Sequence, residues 1–313
     1  MLKVLCEHAR SGNPGLRLNA MWALKTLVDG ADNELKKRAL EELEPGRLVQ
    51  LICDDIEDDA LHSRVQLEQG NRDADDDEDM EGGGFDGLSG PASYPSGHAL
   101  PKPVSLRLQR AERRISMLRE AELTPTRKAR NDDLAIQEQG LNFIRNLICL
   151  PSPPGEMVEY IFNEIGQDHL FDILSSKLRV KVLHPFGRKH ANGSDSRVLY
   201  PQAKVIEAVV YVLVNIAASV PKHRQVVMAQ TELLKLLGGH IHSRDTEVRR
   251  ALCHLLSNLG EREEDLAGGE QRAMELKKLG FLTKLEELQE KDIDLDVRET
   301  AKSAVWRIKA TAT

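Results

Sequence analysis

The segment from Asp245 to Gly260, DTEVRRALCHLLSNLG, decides the fold of this protein. Its apolar residues recur at i, i+4, i+7, i+8 and i+11, at Val248, Leu252, Leu255, Leu256 and Leu259. Because an α-helix turns once every 3.6 residues, this spacing places all five side chains on one face. We therefore predict a long helix that buries one side and exposes the other.

The same five-point stripe occurs at four further places, beginning at Leu16, Ile136, Val205 and Val297. Every position is apolar except Gly140, the second position of the Ile136 stripe. A pattern repeated in this way is the sequence signature of a solenoid, in which stacked helical units share one continuous core. The sequence thus predicts five equivalent long helices.

Shorter helices precede the long ones and complete a three-helix unit. Short helices are predicted over 222–229 and 270–279, and second helices over 233–237 and 281–288. Gly280 stands at the corner between the last two, where a positive φ lets the chain turn sharply. N-cap or first-turn Pro signals lie near the starts of the long helices, at Asn13-Pro14, Asp132-Asp133, Tyr200-Pro201, Asp245-Thr246 and Asp294.

Two insertions explain why the stripes are unevenly spaced. The larger contains Gly82-Gly83-Gly84 in a Gly-, Ser- and Pro-rich stretch, a composition typical of disorder. The predicted organisation is helical repeats over 1–55 (the first incomplete), an insertion over 56–130 with an acidic, Gly-rich disordered segment at 70–103 and a basic helix at 104–123, and helical repeats over 131–313 with a basic loop at 179–199.

The composition favours an all-α protein of a reducing, intracellular compartment. Only 4% of the 313 residues are aromatic, and the four cysteines form no Cys-x-x-Cys pair. The net charge of −7 is concentrated in residues 54–81, where thirteen acidic residues face two arginines. The remainder is nearly neutral, so we expect no nucleic-acid partner. No apolar run is long enough for a membrane helix, and no membrane partner is expected.

The sequence contains no constellation that indicates an enzyme. The cysteines Cys6, Cys53, Cys149 and Cys253 lie in predicted helices among apolar neighbours, as small core residues do. His240-x-His242 has the wrong helical spacing for a metal pair, and the Asp73–Asp79 stretch lacks the turn glycine of a calcium loop. We expect no catalytic residue, metal, cofactor or small-molecule ligand.

Two long helices read Ala20-x-x-Ala23-Leu24-x-Thr26-Leu27 and Leu252-x-x-Leu255-Leu256-x-Asn258-Leu259, a pattern that resembles the armadillo repeat. Longer segments resemble the C-terminal part of the fungal armadillo subunit of the GID/CTLH ubiquitin ligase: Leu18–Val28, Leu40–Asp55, Arg127–Ile148 and Ala203–Gln225. The resemblance covers most of the chain outside 70–100. It implies an all-α, right-handed superhelical armadillo solenoid with two insertions.

The same resemblance implies a non-catalytic scaffold in the cytoplasm and nucleus. In that family the armadillo subunit holds the tail of a substrate receptor in its concave groove and links it to the RING core, for proteasomal degradation. The expected partners are therefore other subunits of a ubiquitin ligase complex, including a receptor tail. The incomplete first repeat would leave an apolar edge at residues 1–8, so we expect either a truncated subunit or an edge that docks on another chain.

The armadillo resemblance also predicts which residues line the groove. They are the motif Asn position and the residue one turn before it on each long helix, with nearby cations: Trp22, Thr26, Asn142, Asn146, Tyr211, Asn215, Arg250, His254 and Asn258, together with Arg145, Ser303 and Arg307. Asn can bond both peptide groups of an extended chain, and Arg can bind a carboxylate. In the alternative interpretation, each Asn bonds to the neighbouring repeat, and Trp22 packs an edge.

An adaptor of the nuclear-import type, which reads basic peptides, is the alternative function. Such grooves pair nearly every Asn with Trp and place acidic residues beside them. Here Trp22 is the single Trp of the predicted row, and Arg145, Arg250 and Arg307 lie nearby. These cations disfavour a basic ligand.

Overall fold

The structure, a computed structural model, describes residues 1–53, 125–149, 153–183, 197–262 and 266–311. The chain divides into two compact units, Met1–Ile56 with Arg130–Thr313 and, separately, Glu57–Ala129. The predicted disordered segment at 70–103 and basic helix at 104–123 lie outside the described residues. Within the described ranges, no helix is both long and apolar enough to cross a bilayer.

Helices account for nearly all of the described regular structure. Their bounds are α1 Leu2–Ala9, α2 Pro14–Val28, α3 Asn33–Leu43, α4 Pro45–Cys53, α5 Pro125–Ile148, α6 Glu156–Ile161, α7 Gln167–Leu178, α8 Ala203–Ser219, α9 Pro221–Met228, α10 Thr231–His240, α11 Thr246–Leu259, α12 Leu266–Lys278, α13 Phe281–Lys291 and α14 Leu295–Thr311. A π-helical turn, Phe162–Gly166, joins α6 to α7.

The helices after α2 fall into triplets that each end in a long helix: α3–α5, α6–α8, α9–α11 and α12–α14. Helix α11 packs against both α8 and α14, so successive long helices lie side by side. Gly280 turns the corner between α12 and α13 with φ +80°. The predicted all-α architecture of three-helix repeats is confirmed.

The stripes that predicted the long helices form the core. All five stripe residues of α8, α11 and α14 are buried, as are those of α5. The α2 stripe differs, because Leu16 is 43% exposed. At the α11–α14 interface a Cβ on Gly260 would lie 2.7 Å from Ile308 Cγ1, so the two repeats meet there at backbone distance.

Two local features differ from what the sequence suggests. Within the segment predicted as a basic loop at 179–199, two antiparallel strands form, β1 Lys181–Leu183 and β2 Arg197–Leu199, with Val182 opposite Val198. Helix α5 begins at Pro125, so Asp132 and Asp133 lie inside it and cap nothing. Instead of capping a helix, Asp133 lies buried beside Arg17 and forms an ion pair with it.

The other predicted starts of long helices differ in whether a side chain caps the helix. Asn13 Oδ1 accepts hydrogen bonds from the backbone N–H groups of Gly15 and Leu16, and Asp245 Oδ1 accepts those of Glu247 and Val248. Asp294 Oδ1 likewise accepts the backbone N–H of Val297 at the start of α14, so these three predicted residues do cap their helices. At Tyr200-Pro201 the helix starts later, at Ala203, with no side-chain cap.

Cationic side chains hold the ends of several helices. Lys36 Nζ donates to the Cys149 carbonyl at 2.7 Å, just past α5, and burial lowers the pKa of this lysine. Arg272 donates to the Leu259 carbonyl at the end of α11, and Lys284 donates to Gly238 O in α10. Cations stabilise these positions because the last carbonyls of a helix lack internal partners and carry partial negative charge.

A buried arginine near the start of a long helix ties two repeats together. Arg249 Nη1 donates to the Ser243 and Arg244 carbonyls, while its Nε and Nη2 donate to Asp292 of the next repeat at 2.6 and 2.9 Å. Asp292 also accepts the backbone N–H of Asp294. We call this arrangement the Arg249 clasp. In α2, Arg17 donates to the Ser11 and Gly12 carbonyls in the same way and lies 4.0 Å from Asp133.

Candidate peptide-binding surface

The five long helices α2, α5, α8, α11 and α14 bring the predicted groove residues into one row, which we call the ladder surface. Direct contacts link each helix to the next: Asn146 to α2, Asn215 to α5, Asn258 to α8 and Arg250 to Asp296 of α14. The row is therefore continuous across all five repeats.

The three motif asparagines use their amide nitrogens within the protein. Nδ2 of Asn146 donates to Lys25 O at 3.1 Å, that of Asn215 to Arg145 O at 2.9 Å, and that of Asn258 to Val214 O at 3.2 Å. This is the bonding that the alternative interpretation describes. Among the described residues no donor meets their Oδ1 atoms, so each remains able to accept a hydrogen bond from a bound chain.

An arginine and a tyrosine stack at the centre of the row. The Arg145 guanidinium lies 4.2 Å from the centroid of the Tyr211 ring, close enough for a cation–π interaction. Within the described ranges this guanidinium makes no hydrogen bond or ion pair, and the side chain is partly exposed. Its N–H groups are thus held in place yet available to a ligand.

Arg250, by contrast, is already neutralised. It pairs with Glu247 one turn earlier on α11, and its Nη1 lies 3.6 Å from Asp296 Oδ2 of α14. The hydrogen bond that Arg250 donates to Glu247, and to a smaller extent the nearby Tyr211, raises the pKa of the Arg250 guanidinium. The Glu247 contact follows the i, i+3 rule and was open to sequence reasoning, whereas the Asp296 contact crosses repeats.

The remaining predicted groove residues differ in exposure and in whether their polar groups already have partners. Trp22 is 57% exposed and presents its indole to solvent. The Thr26 hydroxyl donates to Trp22 O and is used within its own helix. Asn142 is partly buried and His254 exposed; partial withdrawal from water and the Arg250 charge lower the pKa of His254. Arg307 lies 4.0 Å from Glu261.

The structure adds a mixed-charge cluster that sequence reasoning missed. Glu138 of α5 lies in the electrostatic range of Lys25, Lys204 and Glu207, and Lys204 Nζ donates to Glu207 Oε2 at 2.8 Å. Burial, and secondarily the Glu207 charge, raise the pKa of Glu138. Glu138 and Glu207 stand eight residues before Asn146 and Asn215. The repeat spacing could therefore have predicted that these two acidic residues occupy equivalent positions.

One arrangement resembles a Ser–His–acid triad without being one. His223 Nε2 lies 2.8 Å from Glu159 Oε1, and its Nδ1 lies 2.6 Å from Ser219 Oγ, which also donates to Ile216 O. The His223 ring is fully buried and packs edge-on against Phe162. With no open side on the imidazole, these contacts join α6 to the α8–α9 corner and give a substrate no access.

The cysteines differ from one another more than predicted. Cys6 and Cys253 are buried, and burial raises their pKa values to about 11 and about 12, so their thiols stay protonated. Cys53 was predicted in the core but is exposed at the end of α4. Its neighbours Leu51 and Ile52 take the buried face of that short helix. Across the described ranges no group of three metal-ligating side chains converges.

Stacked three-helix units joined through a row of long helices define this protein as an armadillo-repeat protein. Residues 114–254 match the family model described as the VID28/GID5 C-terminal domain. This match confirms the resemblance read from the sequence: the chain is an armadillo protein that resembles the C-terminal part of the GID subunit. No curated protein sequence matches the chain.

Solved structures that align with the chain include designed repeat proteins. An engineered protein aligns with 17% identity and a TM-score of 0.48, covering 99% of this chain and 98% of the other. Computationally designed armadillo repeat proteins for modular peptide recognition align with 16% identity and a TM-score of 0.46, over 98% and 99% of the two chains. A further designed armadillo repeat protein aligns with 15% identity and a TM-score of 0.44, over 98% of this chain and 100% of the other.

Proposed function

We propose that this protein is a non-catalytic scaffold subunit of a GID/CTLH-type ubiquitin ligase, acting in the cytoplasm and nucleus. In this proposal it links a substrate receptor to the catalytic core and so directs substrates to proteasomal degradation. The carrying observation is the family match over 114–254, a segment that contains the ladder residues from Asn142 to His254.

The ladder surface supports binding of an extended tail. The free Oδ1 atoms of Asn146, Asn215 and Asn258 recur once per repeat, which suits the regularly spaced N–H groups of an extended chain. Since their amide nitrogens are engaged, the asparagines supply acceptors to the tail and not donors. The exposed Trp22 offers an apolar face at one end of the row.

Arg145 is the residue best placed to receive a carboxylate of the tail. Its guanidinium is oriented by the Tyr211 ring and unpaired, whereas Arg250 is already held by Glu247 and Asp296. An oriented guanidinium loses little conformational entropy when it binds an acid. We therefore assign the charge-reading role in the row to Arg145, with Arg250 supporting Tyr211.

Within the part of the chain that the structure describes, the charges of the row disfavour the nuclear-import alternative. A basic peptide would bring its charge towards the unpaired Arg145, and the acidic residues near the row, Glu138, Glu207 and Glu247, each have a cation close by. Like charges brought together at an interface weaken binding.

The test is Arg145→Glu in the tagged full chain, with Lys291→Glu as control. Lys291 is exposed at the end of α13, which is not one of the long helices, and its replacement changes the net charge equally. We expect Arg145→Glu to weaken receptor capture by about tenfold or more, as lost charge pairing does, while the RING core stays bound. Unchanged receptor capture with intact helicity would move the tail away from the ladder surface.

A further inference from the structure

A second surface lies on the last helix, apart from the ladder. Leu295, Arg298, Lys302, Trp306 and Lys309 of α14 follow one another at i, i+3, i+7, i+11 and i+14 and therefore share one side of the helix. We call this side the α14 outer face. Four of the five side chains are exposed, including Leu295 at 60% and Trp306 at 69%.

In the preceding repeat the equivalent side of α11 is an internal interface. A step of 49 residues back from the four later positions gives Arg249, Cys253, Ser257 and Gly260. All four are buried. Arg249 binds Asp292 of the next repeat, and Gly260 admits Ile308 to backbone distance. The repeat geometry thus identifies this side of a long helix as the one that a neighbour covers.

The α14 outer face is not shaped for another repeat at that spacing. Where α11 has Ser257 and Gly260, α14 has Trp306 and Lys309. Even a single Cβ at Gly260 would crowd Ile308, so an indole and a lysine at these positions exclude an equally close helix. Whatever covers this face approaches less closely than α14 approaches α11.

The face also differs from a solubilising end cap. Caps of repeat arrays present polar outer surfaces, and Lys302 and Lys309 fit that role. Trp306 and Leu295 do not, since both expose most of their apolar area, and the adjacent Ile293 is 97% exposed. Exposed Trp beside Arg is the combination enriched where partner proteins bind.

Arg298 indicates which kind of chemical group the α14 outer face would bind. It occupies the position of Arg249, whose Nε and Nη2 hold a carboxylate. Arg298 Nε is likewise buried, but no hydrogen-bond partner meets it among the described residues. Lys302 and Lys309 add positive charge along the face, each beside a carboxylate of Glu299 or Glu286. Asp292 lies within electrostatic range of Arg298, but among the described residues no carboxylate binds its Nε. A hydrogen-bonding acidic side chain is therefore what the clasp position lacks.

We propose that the α14 outer face binds an acidic segment of a partner protein. One carboxylate of that segment binds Arg298 as Asp292 binds Arg249, and an apolar side chain beside it covers Trp306. Lys302 and Lys309 attract the acidic segment from longer range. This face shares no residue with the ladder, so in this proposal the receptor tail and the acidic segment contact different side chains.

The test places a photo-crosslinking amino acid, p-benzoylphenylalanine, at Trp306 of the tagged full chain, with the same residue at the exposed Glu290 of α13 as control. After irradiation of the native complex, mass spectrometry identifies the attached peptide. We expect one peptide of another protein, containing Asp or Glu at the crosslink, in at least tenfold excess over the control. No excess, an adduct within this chain, or a peptide without acidic residues would overturn the proposal.

Charge reversal in the same background supplies the second readout. Arg298→Glu, and Lys302→Glu as a variant at an exposed position, should each lower the adduct at least threefold, whereas Lys291→Glu should leave it unchanged. An adduct insensitive to both variants would overturn the assignment of the acidic segment. Arg145→Glu on the ladder surface should not affect this adduct, which separates the proposal from receptor binding.

Discussion

Breaking the Arg249 clasp should destabilise the fold more than any exposed ion pair does. The two side chains are nearly inaccessible, with 9% and 3% of their areas exposed, and they share two hydrogen bonds. Arg249→Ala would leave the Asp292 carboxylate buried without its cation, a change that costs about 3–5 kcal/mol. Arg250→Ala, one residue later and in a partly exposed pair, should cost about 1 kcal/mol or less.

A double-mutant cycle measures the clasp itself. Urea unfolding followed by circular dichroism, on wild type, Arg249→Ala, Asp292→Ala and the double variant, should give a coupling of about 2–3 kcal/mol. The matching cycle for Arg17 and Asp133, which lie 4.0 Å apart, should give a smaller coupling. A coupling below about 0.5 kcal/mol for Arg249 and Asp292 would refute the assigned role.

The clasp also carries a pH signature. Burial works to raise the pKa of Asp292, but the hydrogen bonds from Arg249 and the Asp294 backbone outweigh it, and the pKa is lowered overall. A carboxyl group with a lowered folded pKa stabilises at neutral pH. This stabilisation should begin to fall near the ordinary Asp pKa of about 3.9 and disappear as pH drops through the folded value. A coupling that grows on acidification would contradict this sign.

Two further predictions concern packing and thiol reactivity. Gly260→Ala should destabilise by about 1–3 kcal/mol in thermal unfolding, because its Cβ meets Ile308, whereas Gly239→Ala, with nothing nearby, should be neutral or stabilising; equal melting temperatures would contradict the close packing. In the native state, DTNB should react with the exposed Cys53 well before the buried Cys253, whose pKa is raised to about 12; a fast Cys253 would show that α11 opens.

The fold could be predicted because the same apolar spacing recurs in five helices. Five copies of one apolar spacing reinforced each other, and the stripes of α5, α8, α11 and α14 are buried as that spacing requires. Local features that occur once were less secure. Asp132-Asp133 looks like a helix start but lies inside α5, because helix-forming residues from Pro125 onward continue the helix upstream. The end strands of the 179–199 segment had no such repetition behind them.

The repeat pattern predicted where the motif asparagines lie, but not which groups they form hydrogen bonds with. The repeat frame placed Asn146, Asn215 and Asn258 on one row, yet their spacing alone left open whether the amides meet a ligand or a neighbouring repeat. In the structure the amide nitrogens donate to the neighbouring repeat, and no donor among the described residues meets the oxygens. The Arg145–Tyr211 stack joins residues 66 positions apart in the sequence, and no local pattern marks such a pair.

The clasp escaped sequence reasoning for the same physical reason. Arg249 and Asp292 lie 43 residues apart, and a charged residue near a helix start is normally a solvated one. Only the packing of α11 against the next repeat encloses them. The equivalent Arg17 and Arg298 become recognisable once the Arg249 geometry is known, since all three follow the first residue of an apolar stripe.

Native affinity purification of the tagged chain from fungal cells, with mass spectrometry after a moderate-salt wash, tests the central claim most directly. A scaffold subunit of a GID/CTLH-type ligase should retain a RING ligase core together with a receptor subunit. The Arg145→Glu chain should retain the core and lose the receptor. Recovery of nuclear-transport factors, or of the chain alone, would contradict the proposed function while leaving the armadillo fold in place.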